Sequence, residues 1–302
     1  MKKVLKPVFL LSFALMLIGN LFPGSSEAFA STHQEQASEM DLKVMTYNLR
    51  YKNNSDASPH TWDERRPTIS QLIHNEKPDI FGTQEALYEQ IKELDEDLPK
   101  YDWIGEGREG GSKGEFMAVF YDKNRFSPIE YDHFWLSDTP DVIGSTSWGN
   151  TIPRMVTWVK FQDKKTGQQF YFINTHFDHR SQEAREKSAA LIVEKIKEFN
   201  PELPILLTGD FNANPDTKPY QILTAEGAFA DLWMTAETRI NEDLGTFNGF
   251  NNPSGGGPNN RIDWILSKGN VTAKTIEIVN YQKNGQFPSD HYPVMADVTL
   301  QY

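Results

Sequence analysis

From Leu42 to the C-terminus, short runs rich in β-branched and aromatic residues alternate with amphipathic stretches. Turn-forming residues bound the runs, which places strands at Leu42–Leu49, Asp79–Thr83, Glu115–Tyr121, Arg154–Phe161, Gln169–His176, Ile205–Thr208, Arg261–Leu266 and Val294–Thr299. Lys164-Lys165-Thr166-Gly167 has the composition of a hairpin turn between two of them. The clearest helix is Gln182–Phe199. There Ala189, Ile192, Val193, Ile196 and Phe199 recur at helical spacing, Ser181 stands at the N-cap and Pro201 follows the end. Shorter helices are expected at Arg65–Asn75 and Leu87–Asp97. Hairpins mixed with strand–helix–strand passages predict an α/β chain of mixed sheets covered by helices.

No Pro/Ser-rich linker and no repeat interrupts this pattern, so residues 42–302 read as one domain. The polar, aperiodic segment 31–41 is expected to be a flexible lead-in. Residues 1–30 have a different character. Lys2, Lys3 and Lys6 precede an apolar run from Val8 to Ile18, and Ala28-Phe29-Ala30 is an A-x-A cleavage signature. This is the pattern of a secretory signal peptide cleaved after Ala30. The run is broken by Gly19-Asn20 and Pro23-Gly24, too soon for a membrane span.

Composition narrows the chemistry. The 302 residues include no cysteine, which excludes disulfides, thiolate metal sites and a cysteine nucleophile. The net charge is −12, and it becomes −14 once three lysines and one glutamate leave with residues 1–30. So acidic a chain disfavours non-specific binding to nucleic acid or anionic lipid, and a monomer with no groove for long nucleic acid is expected. A phosphate-bearing substrate remains open, because a bound cation reverses the local potential.

Several strands end in polar residues that strand ends do not require: Thr46-Tyr47-Asn48, Gly82-Thr83-Gln84-Glu85, Asn174-Thr175-His176-Phe177-Asp178-His179 and Thr208-Gly209-Asp210-Phe211-Asn212. Ser289-Asp290-His291 lies near the C-terminus. Side chains alternate along a strand, so Asn174, His176 and Asp178 share one face, as do Asp210 and Asn212. Each motif alone is compatible with a turn or a helix cap. Together they bring carboxylates to one rim. Glu85, Asp178, Asp210, Asp263 and Asp290 cannot all stay ionised there without a cation, and oxygen ligands, including an amide oxygen of Asn48, select Mg²⁺, Mn²⁺ or Ca²⁺ rather than zinc.

The order of these motifs, with Pro78-Asp79-Ile80-Phe81 before the second and Arg261-Ile262-Asp263 before the last, resembles the endonuclease/exonuclease/phosphatase superfamily over Lys43 to Val298. The resemblance implies a four-layer α/β sandwich, two mixed sheets packed face to face with helices outside. It also implies divalent-metal-dependent phosphoester hydrolysis by an in-line water. In that scheme Glu85, Asn48 and Asp290 hold Mg²⁺ or Mn²⁺, while Asp210 and Asn212 orient the water and bind phosphate. His291 is the acid–base group oriented by Asp263, and His176 donates to a non-bridging phosphate oxygen.

Arg154 is a candidate phosphate clamp, its alternative being a strand-end ion pair. Asp178 is a further candidate ligand or hydrogen-bond partner, and His179 and Arg180 are expected to be solvated. The stretch Gly105-Glu106-Gly107-Arg108-Glu109-Gly110-Gly111 lacks the Lys-Ser/Thr and helix start of a phosphate loop, so it reads as a plain strand connection. The loop Asn251–Asn260 is expected to be mobile and to border the site. Trp62, Trp135 and Trp148 fall in loop-like segments, as half-buried packing or as stacking groups for a base or sugar. Two rival functions have a basis in the sequence. Asn174-Thr175-His176-Phe177-Asp178-His179 nearly spells a metallo-β-lactamase zinc motif, but Asn174 replaces its first histidine. A glycan-binding protein with a vestigial site is the other. With no protruding apolar hairpin in sight, the expected substrate is a small phosphoester, an oligonucleotide or an envelope phosphodiester.

Overall fold

The computed structural model describes residues 38–302; the expected signal peptide lies outside the described residues, as does most of the lead-in. In chain order the elements are β1 Glu39–Asn48, α1 Trp62–Glu76, β2 Ile80–Gln84, α2 Tyr88–Asp97, β3 Tyr101–Ile104, β4 Val119–Asp122 and β5 Phe126–Trp135. There follow β6 Met155–Asp163, β7 Gln169–His176, α3 Gln182–Lys195, β8 Ile205–Asp210, α4 Lys218–Leu223 and β9 Ala230–Asp231. The chain closes with α5 Leu232–Thr235, β10 Thr238–Ile240, β11 Asp263–Lys268, β12 Val271–Ile278 and β13 Val294–Gln301.

Among the described residues the strands form two mixed sheets, ordered β10-β12-β13-β1-β2-β4-β3 and β5-β6-β7-β8-β11-β9. Their central strands are apolar on both faces, which forces a layer onto each side. Alternate residues divide accordingly. Val44, Ile80, Phe172, Leu206 and Ile265 pack together between the sheets. Met45 and Phe81 face outward, into a cluster with Ile69 and Leu72 of α1 and Ile91 of α2. Ile173, Leu207 and Leu266 face the other way, onto Ala189 and Ile192 of α3 and Leu223 of α4. The layers are therefore helix, sheet, sheet, helix, the expected four-layer sandwich. No helix among the described residues is long and apolar enough to cross a membrane.

The boundaries differ from expectation for local reasons. β1 starts at Glu39 because Met40 and Leu42 are buried between exposed neighbours and pair with Leu300 and Val298. α3 stops at Lys195 and tightens into a 3₁₀ turn over Ile196–Glu198, while the Ser181 hydroxyl accepts the Ala184 N–H at 3.1 Å as its N-cap. α1 begins three residues early at Trp62, with Pro67 inside it. The Lys164–Gly167 turn does join antiparallel β6 and β7.

The two inner faces touch through a buried polar tie. Gln84 Nε2 donates to Asn174 Oδ1 at 2.7 Å, and Asn174 Nδ2 donates to the carbonyls of Thr83 and Ala118 at 2.8 and 3.0 Å. Gly82 permits this approach, since a Cβ there would lie 2.4 Å from Asn174 Oδ1 and 2.5 Å from Thr208 Oγ1. Asn174 thus holds the sheets together and is not a rim group.

Candidate active site

Register places the site. β7 and β8 run parallel with His176 beside Asp210, and β8 and β11 run antiparallel with Asp210 beside Asp263. Three neighbouring strands of one sheet therefore end in a row, His176, Asp210, Asp263. Opposite them, parallel β1 and β2 pair Asn48 with Gln84, so Asn48 and Glu85 project from the facing sheet. Glu85 and Asn212 both adopt left-handed backbone conformations, φ 67° and 47°. Such φ values are unusual in non-glycine residues and often accompany functional sites. Asp290 and His291 arrive on the segment that leads into β13.

The groups interlock around Asp210. Its Oδ2 accepts from Asn48 Nδ2 at 2.9 Å and lies 3.5 Å from His176 Nε2 and 3.7 Å from His291 Nε2. Its Oδ1 accepts the Asn212 N–H at 2.9 Å. Asn48 Nδ2 also donates to Glu85 Oε1 at 3.1 Å, while its Oδ1 accepts the Arg50 N–H. Asn212 Nδ2 lies 3.0 Å from His176 Nε2 and donates to the Phe177 carbonyl. His291 Nδ1 stands 2.9 Å from Asp263 Oδ2, and the Thr246 hydroxyl accepts the Asp263 N–H, fixing the start of β11.

Burial sets the electrostatics. Desolvation, reinforced by Asp263, pushes Asp210 up to about 7. Desolvation also raises Asp290, with neighbouring Glu85 acting the same way. Burial alone would lower His291, but the charges of Asp263 and Asp210 and the hydrogen bond to Asp263 reverse this and hold it well above the ordinary imidazole value. His176 goes the other way, driven well down by burial and by Arg154. The two imidazoles are thus driven in opposite directions. Ligand atoms of Glu85, His176 and Asp210 lie within 4.8 Å of one another, as do those of Asp210, Asp263 and His291. Buried carboxylates that are drawn toward protonation are a donor set that fits a hard divalent cation; Asn48 turns its amide nitrogen to Glu85 and Asp210 and its oxygen to the Arg50 N–H, so it would join them as a ligand only with its amide turned over.

Glu85, His176, Asp210, Asn212, Asp290 and His291 line a cleft of about 780 Å³, whereas Asn48 and Asp263 are buried and do not line it. Arg154 lines one wall, almost fully buried, with Nη2 3.0 Å from His179 Nδ1 and Nε 3.8 Å from Asp178 Oδ2. Asp178 does not line the cleft. It stands behind Arg154 and accepts the N–H groups of Arg180 and Ser181, a turn that leads into α3. Arg180 and His179 do line it.

Several cleft residues escaped the sequence reading as site groups, Arg50, Phe247, Glu115 and Arg108 among them. Arg50 follows Asn48 and grips Asp56, with its Nε 3.8 Å from Asp290. Phe247 crosses His291 edge-on at 5.1 Å between ring centroids, and it precedes the Asn251–Asn260 loop, which does not itself line the cleft. Glu115, expected to open a strand, and Arg108, in the glycine-rich connection, meet at 2.6 Å on the wall beside Arg154. Behind the cleft, buried Arg65 donates to the carbonyls of Leu49, Pro288, Arg50 and His60, tying the Asn48 and Asp290 segments together. The three tryptophans are anchors: their indoles donate to Glu93, to the Arg108 carbonyl and to Asp138 respectively, and none lines the cleft. The metallo-β-lactamase reading fails, because Asn174 is committed between the sheets and the fold is a different one.

A two-sheet sandwich with an acidic, histidine-bearing rim defines a class of metal-dependent phosphohydrolases. The sequence profile described as "Endonuclease/Exonuclease/phosphatase family" matches residues 45–291, and the chain belongs to that family. Family members are hydrolases of phosphoester bonds that use a divalent metal.

Two solved structures illustrate the likeness. A family protein from Bacteroides thetaiotaomicron is 38% identical with a TM-score of 0.83, covering 88% of this chain and 100% of its own. A mannosyl-6-phosphatase from the same species is 38% identical with a TM-score of 0.80, covering 85% and 99%. A probable RNA exonuclease from Saccharomyces cerevisiae is 24% identical over 216 residues, 64% of this chain and 42% of that protein, so the chain spans less than half of it.

Proposed function

We propose that the protein is a secreted, Mg²⁺- or Mn²⁺-dependent hydrolase of small phosphoesters. The observation that carries this reading is Asp210, wedged between His176 and His291 and facing the Glu85–Asn48 pair across the seam of the sheets. Glu85, Asn48 and Asp290 would hold the cation, which when bound supplies positive charge for the phosphoryl oxygens.

The remaining chemistry belongs to side chains. Asp210, raised toward neutrality, accepts a proton from the attacking water, which Asn212 helps to orient. His291, kept charged by Asp263, gives its proton to the leaving oxygen. His176 is neutral and its Nδ1 has no hydrogen-bond partner, so it offers a donor to a non-bridging oxygen. Arg154 adds a guanidinium behind the phosphate. Phe247, partly exposed beside His291, gives the organic part of the substrate an apolar face on the leaving-group side.

Likeness to the mannosyl-6-phosphatase over nearly its whole length favours a sugar phosphate among the small esters. Export rests on the Lys2–Ala30 pattern, and a secreted product beginning at Ser31 by mass spectrometry is the expected result. Activity is tested with p-nitrophenyl phosphate and bis(p-nitrophenyl) phosphate, with and without chelator. Asp210→Ala and His291→Ala are expected to lose at least about two orders of magnitude in rate. Turnover that survives chelation, or that both variants retain, refutes the reading.

A further inference from the structure

The glycine-rich connection between β3 and β4 is more than a link. It folds back on itself: Arg108 N–H donates to the Glu115 carbonyl at 2.9 Å and Glu109 N–H to the Lys113 carbonyl at 3.1 Å. Gly107 lies so close to Lys113 that a Cβ would clash with its backbone, and Gly110, Gly111 and Gly114 hold left-handed conformations. The Arg108 carbonyl is clamped from outside by the Trp135 indole at 2.7 Å. All this construction presents one side chain. The Arg108 guanidinium, 13% exposed, lies 2.6 Å from Glu115 Oε2, which is itself 4.0 Å from both Arg154 Nη1 and His176 Nδ1.

The wall is rich in donors that lack acceptors. Among the described residues six buried side-chain nitrogens have no hydrogen-bond partner, and four of them belong to the cleft-lining Arg108, Arg154 (two) and His176; Arg154 Nη1 and His176 Nδ1 each lie 4.0 Å from Glu115 Oε2, while Arg154 Nε faces Asp178. Buried donors rarely go unmatched, so unmatched donors on three residues that line the cleft call for an oxyanion to complete them. Glu115 would repel any anion placed there, and Arg108 cancels that charge. The benefit scales with the charge of the ligand. A phosphomonoester near neutral pH approaches two negative charges and has three terminal oxygens, whereas a diester has one charge and two.

We propose that Arg108, delivered by the glycine-rich loop and neutralising Glu115, is a specificity determinant that makes this cleft favour phosphomonoester dianions over diesters. The inference refines the phosphoesterase reading and rests on it for the location of the phosphate.

Binding of inorganic phosphate and of dimethyl phosphate to the Mg²⁺-loaded protein, followed by calorimetry at mildly alkaline pH, tests it apart from turnover. Arg108→Ala is expected to weaken phosphate about a hundredfold and dimethyl phosphate about tenfold, since the effect on free energy doubles with charge. The pair Arg108→Ala with Glu115→Gln is expected to recover about tenfold on phosphate, and Glu115→Gln alone to tighten phosphate more than dimethyl phosphate. Arg108→Lys, which retains the charge, should keep the preference and serves if the alanine variant does not fold. Equal losses on the two probes, no loss, or no recovery in the double variant overturns the proposal. If the wild type hydrolyses neither p-nitrophenyl ester, the parent reading falls, while the two binding constants still decide the role of Arg108.

Discussion

Asp263→Asn separates charge from geometry at the His291 pair. The asparagine oxygen can still accept from Nδ1 at the 2.9 Å seen for Asp263, but the negative charge is gone. For charge centres about 4 Å apart in a medium of effective dielectric about 20, the lost attraction is about 4 kcal/mol. This lets the imidazole pKa fall back from its raised value. The sign follows from the direction of the native shift. A pKa held above the ordinary value keeps His291 protonated to higher pH, so acid catalysis is full below that pKa and fades as pH rises through it. The substitution moves the fading limb toward acid, and kcat/KM at mildly alkaline pH should fall by about 10²–10³. A sugar phosphate, whose alcohol leaves poorly, needs the proton more than p-nitrophenyl phosphate does, so its loss should be the larger. NMR titration of the His291 imidazole gives an independent reading. An unmoved pH profile, or equal losses on the two esters, would refute the assignment of His291 as the acid.

Cation binding requires ionised carboxylates, so Mg²⁺ affinity should climb by up to about tenfold per pH unit and level off once Asp290, raised by its burial, has lost its proton. Calorimetry that finds a flat profile contradicts this. The upward shifts of Asp210 and His291 act together on the metal-free protein: their stabilisation is complete at low pH and is lost as pH rises through the native values, so its melting temperature should fall between mildly acid and mildly alkaline buffer. Arg65→Ala removes the donor from four backbone carbonyls, two of them in fully buried contacts, and should cost about 3–5 kcal/mol, roughly a 10 °C drop in Tm by circular dichroism. A melting temperature within about 2 °C of wild type would show that water replaces the guanidinium.

The buried strands and the rim were legible because both leave local marks. β1, β2, β7, β8, β11 and β13 are apolar runs that end in polar groups, and period-two alternation assigns those groups to a face. β5 was not legible. It is an edge strand whose middle, Ile129 to Asp132, is exposed, so it carries polar residues where a buried strand would carry apolar ones. β12 alternates, but a register shift between Ala273 and Thr275 breaks the pattern. Within the site, Glu85, Asp210 and His291 belong to recognisable motifs. Arg108 and Glu115 do not: their meeting depends on a loop folding back through left-handed glycines, a conformation that composition permits without specifying. Trp135, expected in a loop-like segment, closes β5 instead, and its indole donates to the Arg108 carbonyl 27 residues earlier.

The seam between the sheets has a consequence for durability. Asn48 Nδ2 donates both to Glu85 beside its own sheet and to Asp210 of the other, so a cation held by Glu85, Asn48 and Asp290 would also steady the groups that link the two sheets. A ligand present at about a hundred times its dissociation constant adds about 2.7 kcal/mol to the folded state. Durability against proteases would then rise and fall with the divalent ions of the surroundings, and a chelating milieu would disarm the enzyme and loosen its architecture in the same event.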